Sequence, residues 1–275
     1  MSDKACAKSF PSIPEIPGIM RRKGWSRGAY LMEKWLSLPA NSNYEHGYHD
    51  VDTITMAWLF RFGRALMAYK GAKARKVWMT EKAQKVIKDD LIYREGRLPK
   101  AVGEKLEIGN VGEGLIRTPG EVAKFHKKWQ VQREIVSDNR VTAPLDDLLA
   151  AVGNFTFCYL VKGWVERLPD KDGTPQYKVT INQVGVYLRD IYDFTDRDKL
   201  SKTLFEYLGS WGCKAPYVSK LPPGVPMLSV FPVTRRPLTN GSFRKWREKT
   251  GRGGDFLVFS DIKVFDTNDS FVFSG

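Results

Sequence analysis

The chain has few cysteines and histidines, no long apolar run and none of the common catalytic signatures. Each absence removes a class of protein. Its three cysteines, Cys6, Cys158 and Cys213, stand far apart in 275 residues. They form no disulfide framework and no paired zinc-ligand spacing, and they suit a reducing, cytoplasmic origin. Of the three histidines, only His46 and His49 lie close together, beside Asp50 and Asp52. That cluster reads either as a polar loop capping a helix or as metal ligands. No apolar run approaches the roughly 18 residues that span a bilayer. The opening Met1-Ser-Asp-Lys-Ala-Cys-Ala-Lys lacks the apolar core of a Sec signal. There is no Walker loop, no Gly-x-Ser-x-Gly elbow and no cysteine–histidine protease signature. The glycines of Gly109-Asn-Val-Gly-Glu-Gly114 lack the flanking buried strand and helix of a dinucleotide fingerprint.

Apolar and aromatic residues are plentiful. They make up 42% hydrophobic content, with 15 Phe, 11 Tyr and 8 Trp. A chain of this kind buries a large core and is not disordered throughout. Lys and Arg outnumber Asp and Glu by 44 to 31, a net charge of +13. Seven of the cations, Lys70, Lys73, Arg75, Lys76, Lys82, Lys85 and Lys88, fall within twenty residues. Such a run is a solvated helix face, a docking surface for an acidic protein, or a nucleic-acid footprint.

Patterning divides the chain into three parts. Residues 1–24 hold Pro11, Pro14 and Pro17 and read as an extended surface segment. Residues 25–150 read as helical. Ser26 opens a helix that Pro39 stops, and Asp52 or Thr53 opens one with Ile54, Trp58, Phe62 and Leu66 on a stripe. Thr80 and Thr118 open two more. Residues 103–114 read as a glycine-rich loop, and Pro144 to Gly153 as a short helix ended by glycine. In residues 151–275 the hydrophobic period becomes two. Strands follow one another around a turn at Pro169–Gly173, with one helix at Ser242–Lys249. Helices first and strands later predict an α+β fold.

Val184-Gly-Val-Tyr-Leu-Arg-Asp-Ile-Tyr-Asp-Phe194 is the segment that points to chemistry. It predicts a strand with Tyr187, Arg189, Ile191 and Asp193 on one face and Val186, Leu188, Asp190 and Tyr192 on the other. Two carboxylates at the tip of an apolar strand bind something, cap a turn, or act on a substrate. Further along, Thr250-Gly-Arg-Gly-Gly-Asp255 follows a helix carrying Arg244 and Arg247. Its glycines make either a tight turn or a nest of N–H groups beside Arg252, which with Asp255 completes a candidate anion-binding set.

Several stretches together resemble an uncharacterised family of proteobacterial proteins met beside toxin and type VI secretion genes. They are Ile16-Pro-Gly-Ile-Met20 with Gly24-Trp25, Glu33-Lys-Trp35, Asp147-Leu-Leu-Ala-Ala-Val-Gly-Asn-Phe-Thr-Phe157, Val184–Phe194, Leu208-Gly-Ser-Trp211, and Ser242-Phe-Arg through Gly-Gly-Asp-Phe-Leu-Val-Phe-Ser-Asp261. Asp190-Ile-Tyr-Asp193 also resembles the Asp-x-Tyr-Asp core of the colicin M group of bacteriocins. That group cleaves lipid II between isoprenoid and pyrophosphate with magnesium, from an open β-barrel-like domain. The resemblance implies a catalytic trio of Asp190, Tyr192 and Asp193, with Mg2+ on the two aspartates and a lipid-linked anionic substrate gripped by Arg244, Arg247, Arg252 and Asp255. Where that group has a His-Arg pair, this chain has Arg197-Asp-Lys-Leu200. Arg197 or Lys199 is the candidate replacement cation, or Arg244 and Arg247 close the site from elsewhere, and no histidine stands there to act as the general base or acid. The expectation is an antibacterial effector made in the bacterial cytoplasm. It would leave through a secretion apparatus, act in the target envelope, and be held by an acidic immunity protein. A nucleic-acid-directed toxin and a non-enzymatic secretion accessory are the alternatives.

Overall fold

A computed structural model describes residues 12–45, 47–137, 146–194 and 240–275, with the backbones of residues 207–211, 216–217 and 236–239. Cys6, His46, Arg197, Lys199, Cys213 and the aromatic side chains from Phe205 to Trp211 lie outside the described residues. The fold is α+β, with helices mostly in the first half and strands mostly in the second. It separates into two compact units that do not follow the boundaries at 24 and 150. One comprises Met1–Thr53, Ser137–Phe155 and Asp190–Val258, and the other Ile54–Val136, Thr156–Arg189 and Phe259–Gly275.

In the first unit residues 13–22 are helical, against the reading of residues 1–24 as an extended segment, whose first eleven residues lie outside the described residues. Helix α1 (Ile16–Arg22) follows a short 3-10 turn, and Ile16, Pro17, Ile19 and Met20 are buried. Pro14 and Pro17 sit in the first turns of these helices, where a missing N–H costs nothing and the fixed φ is already helical. Helix α2 (Ser26–Ser37) buries Leu31, Met32 and Trp35. Ser26 does not cap it with its side chain. The cap comes from 120 residues away: the Asp147 carboxylate accepts from the N–H groups of Arg27 at 3.1 Å and Gly28 at 2.8 Å. Asp147 opens the short helix α7 (Asp147–Ala151), which Asp146 caps in turn. The helices meet closely at Gly28, where an added Cβ would lie 2.6 Å from the Ala150 Cβ. The unit also holds the parallel pair β1 (His49–Asp50) and β9 (Phe256–Phe259). Three short strands, β6 (Tyr207–Trp211), β7 (Pro216–Tyr217) and β8 (Arg236–Thr239), pair in the order β7-β6-β8.

The second unit is built on a hairpin of two long strands, β4 (Phe155–Lys171) and β5 (Thr174–Tyr192). Asp172 and Gly173 form the two-residue turn, with φ of 51° and 74°. Positive φ at both positions is what the native strand twist asks of such a turn, and Asp-Gly supplies it. Antiparallel to β5 runs β10 (Lys263–Ser274), and antiparallel to β4 runs β2 (Lys105–Gly109). Strand β3 (Gln132–Val136) also joins β4. The main sheet curls as a half-barrel. Residues 103–114 are therefore not all loop: Leu106 and Ile108 alternate within β2, and the strand ends where Gly109 turns at φ 77°.

Helices cover this sheet. The stripe from Ile54 to Leu66 is interrupted, giving α3 (Met56–Leu59), capped by Thr55, and α4 (Gly63–Ala74). Helix α5 (Glu81–Val86), capped by Thr80, continues as a π-helical turn over Ile87–Tyr93. Helix α6 (Pro119–Trp129) is capped by Thr118. Among the described residues no helix is long and apolar enough to cross a membrane. Much of the basic run is paired at the surface: Lys76 with Asp269, Arg75 with Glu134, and Lys85 with Asp89.

Under α6 lies a buried polar chain. Cys158 and Tyr187 are cross-strand partners, and the Tyr187 hydroxyl lies 2.5 Å from His126 Nδ1. Burial pushes the Cys158 thiol up to about 12, leaving it protonated and inert. Burial, with the positive fields of Arg189, Arg133 and Lys127, pushes His126 down to about 4.

Two outcomes follow for stability. Asp147→Ala strands two N–H groups at the start of α2 and is expected to cost about 1–3 kcal/mol in urea unfolding. His126 has a lowered folded pKa, so the native state binds fewer protons than the unfolded state between about pH 4 and 6.5. Its contribution is present above pH 6.5 and is lost on acidification toward pH 4, amounting to up to about 3 kcal/mol. Unfolding at pH 7 and pH 4.5 should show this loss, and His126→Asn should flatten it.

Candidate functional site

The residues nominated for chemistry fall in the first unit, around the end of β5. Asp190 and Tyr192 occupy alternate positions of the strand and share a face, as their spacing requires. Asp193 follows the last strand residue, and both carboxylates are partly exposed. Tyr192 is buried and stacks on Phe256, with ring centroids 5.2 Å apart. Burial, reinforced by the negative charge of Asp190, raises the Tyr192 hydroxyl well above its ordinary range. It is a neutral phenol, not a phenolate nucleophile.

Phe194 places the end of β5 against helix α8 (Asn240–Thr250), its ring stacked on Phe243 at 4.0 Å with Trp35 edge-on at 4.7 Å. Such aromatic pairs add about 0.5–1.5 kcal/mol each beyond the area they bury. Arg244, on α8, donates to the Phe194 carbonyl at 2.9 Å, fixing its guanidinium one residue beyond Asp193. The fold thus brings Asp190, Tyr192, Asp193 and Arg244 to one end of one strand, across fifty residues of sequence.

Arg247 and Asp255 serve a different purpose from the substrate binding expected of them. The Asp255 carboxylate is buried, pairs with Arg247 at 3.0 Å and accepts from the Trp35 indole N–H at 3.0 Å. Arg247 also donates to the Asn41 carbonyl at 3.3 Å. Burial raises the Asp255 pKa against the pull of these two bonds, and the charge of Asp193 raises it further. Asp193 is therefore close enough for its field to reach Asp255. Arg252 is exposed and donates to the Ser37 carbonyl at 2.6 Å.

The glycines of the Thr250–Asp255 loop make a packed turn, not an anion nest. The N–H groups of Gly253, Gly254 and Asp255 are given to Leu38, Trp35 and Asn41 carbonyls at 2.9, 3.2 and 2.8 Å. The N–H of Gly251 goes to Arg247 and that of Arg252 to the Thr250 hydroxyl. Gly253, at φ 98°, lies so close to Trp35 that a Cβ would come within 2.5 Å of the indole. A Gly-x-Gly-Gly pattern satisfies both demands, and only the position of Trp35 distinguishes them. The partnership of Trp35 with Asp255 had no signal in the sequence, since 220 residues separate them.

Among the described residues no three His, Cys, Asp or Glu side chains gather as metal ligands. His49 is buried in β1. Asp50, beside it, caps a turn instead, accepting from the Thr53 N–H at 2.9 Å and hydroxyl at 2.8 Å. Asp190 and Asp193 offer two carboxylates. Magnesium is commonly held by one or two protein carboxylates, its own waters and substrate phosphate, so this donor set suits it.

Residues 12–220 and 232–274 match the family model DUF6402, described as a family of unknown function, and the chain belongs to that family. No curated protein and no solved structure matches it.

Two substitutions separate the structural pair from the strand-end acids. Arg247→Met leaves Asp255 buried without its cation and is expected to cost about 3–5 kcal/mol. Asp193→Asn removes a charge that repels Asp255 and keeps the side chain's size, and should cost far less than Arg247→Met. Denaturant unfolding of both variants beside the parent checks the contrast.

Proposed function

We propose that this member of the family is an antibacterial effector that acts on a phosphate-linked lipid precursor of the envelope, with its reactive groups at the end of β5. The observation that carries this reading is that β5 ends in Asp190, the buried phenol of Tyr192 and Asp193, with Arg244 bonded to the next carbonyl, that of Phe194. Cleaving a pyrophosphate linkage requires neutralisation of phosphoryl oxygens and a positioned water. Magnesium on Asp190 and Asp193 would supply Lewis-acid polarisation of the phosphoryl group. Arg244, held by the Phe194 carbonyl, grips phosphate oxygens in a fixed orientation. Tyr192, kept neutral, donates or accepts one hydrogen bond and orients a carboxylate or substrate oxygen. The likeness of Asp190-Ile-Tyr-Asp193 to the colicin M core makes lipid II the substrate of choice, cut between isoprenoid and pyrophosphate.

The excess of positive charge supports an acidic immunity partner, because complementary fields steer association. It also supports the second reading, a nucleic-acid-directed toxin. Lys70, Lys73 and Lys82 are exposed and have no carboxylate partner among the described residues.

Expression directed to the periplasm and to the cytoplasm of a sensitive bacterium discriminates these readings. Killing from the periplasm, abolished by Asp193→Asn with the thermal midpoint preserved, is the expected outcome. Purified protein should release the isoprenoid from lipid II only with magnesium present. Killing from the cytoplasm alone, with salt-dependent nucleic-acid binding, would replace the lipid reading with the nucleic-acid one.

A further inference from the structure

We infer that the second unit carries an anion-binding site for a phosphoryl group, formed by Arg189, Arg133 and His126 where α6 lies over the sheet. Arg189 opposes Thr156 in the β4–β5 register, two residues from the Cys158–Tyr187 pair and on the same face. Its side chain is half-buried, and its Nε is fully buried without a hydrogen-bond partner. Arg133 approaches from β3, beside the point where Val131 N–H bonds the Tyr159 carbonyl. His126 comes from α6, its ring edge-on to Tyr187 at 5.9 Å and tilted against Phe259 at 5.6 Å. The charged groups whose fields act most on His126 are all cations, namely Arg189, Arg133 and Lys127.

Among the described residues the nearby acids are committed elsewhere. Glu134, on the opposite face of β3, holds Arg75 at 2.9 Å, and Glu121 of α6 holds Lys124 at 3.2 Å. Asp190 points to the other face of β5 by strand alternation. A half-buried guanidinium without a carboxylate is costly, because proteins pair the charges they bury. The hydrogen-bond chain beneath is oriented for a ligand. The Cys158 thiol is protonated and Tyr187 is neutral. When the thiol donates to the phenol and the phenol to His126 Nδ1, the imidazole proton sits on Nε2, which is then a donor. Two guanidinium forks and one imidazole N–H, with no carboxylate among them, favour a multiply charged phosphoryl group over a single carboxylate. This site is independent of the acids at the end of β5.

The test is calorimetric titration of the full chain with inorganic pyrophosphate, repeated with vesicles containing phosphatidic acid. Saturable, salt-sensitive binding of pyrophosphate is expected, weakened roughly tenfold or more in Arg189→Gln. Titration in excess EDTA should give the same binding, which separates this site from the magnesium-dependent one proposed for catalysis. In ligand-free buffer the thermal midpoint of Arg189→Gln should hold or rise, since an uncompensated charge has been removed. Binding confined to vesicles, and lost in Arg189→Gln, would place the phosphoryl group on a lipid. Absence of binding to either probe, undiminished binding by Arg189→Gln, or a fall in its midpoint would overturn the assignment.

Discussion

The first unit depends on one buried ion pair. Asp255 is an anion inside an aromatic core, tolerated because Arg247 and the Trp35 indole N–H both reach it. Partners for a buried carboxylate must be fixed in place, and fixing them ties together α2, α8 and the loop before β9. Trp35 then serves several demands at once. It meets Phe194 and Phe243 edge-on, lies against Gly253, and accepts a second contact from the Arg247 guanidinium 6.0 Å above its ring. The strand-end acids stand next to this arrangement, on a backbone that the stacking of Phe194 and Tyr192 holds rigid. Groups that meet a substrate need such support, since their geometry must not relax when charge arrives.

The second unit is organised by the Asp172-Gly173 hairpin and the length of its two strands. A two-residue turn fixes register, and register decides which side chains share a face. Here it sets Cys158 against Tyr187 and Thr156 against Arg189, so a polar chain and an unpaired guanidinium sit on the same side of the sheet. Elsewhere in the unit a buried acid is satisfied more fully. Asp269 takes Lys76 at 2.6 Å, the Trp78 indole at 2.9 Å and the Thr267 hydroxyl at 2.6 Å. These bonds hold its carboxyl below the usual range despite burial. The contrast between Asp269, with three donors, and Arg189, whose buried Nε has no acceptor among the described residues, gives the arginine its significance.

Much of the fold could be read from the chain. The change of hydrophobic period after Gly153, the threonine caps at Thr80 and Thr118, and the glycine after α7 are local signals with local causes. Reading residues 13–22 as extended failed because proline reports only a permitted φ, and the first turn of a helix permits the same value as an extended chain. The glycines flanking β2 hid a strand, because Leu106 and Ile108 are too few to establish a period alone. The compact units divide the chain differently from a cut at 150. Long strands carry residues of both compact units, so neither unit is a continuous piece of sequence.

The candidate site divides along the same line. The sequence by itself determined that β5 ends in Asp190, Tyr192 and Asp193, because strand alternation and an apolar run are properties of neighbouring residues. It also determined the net charge. Only the tertiary structure decided which arginine faces which acid. It joined Arg247 and Asp255 to Trp35, set Arg244 on the Phe194 carbonyl, and left Arg189 beside His126 without a counter-charge among the described residues. Electrostatic roles of this kind depend on distances between residues tens to hundreds of positions apart. Such distances are set by packing, which local sequence does not encode.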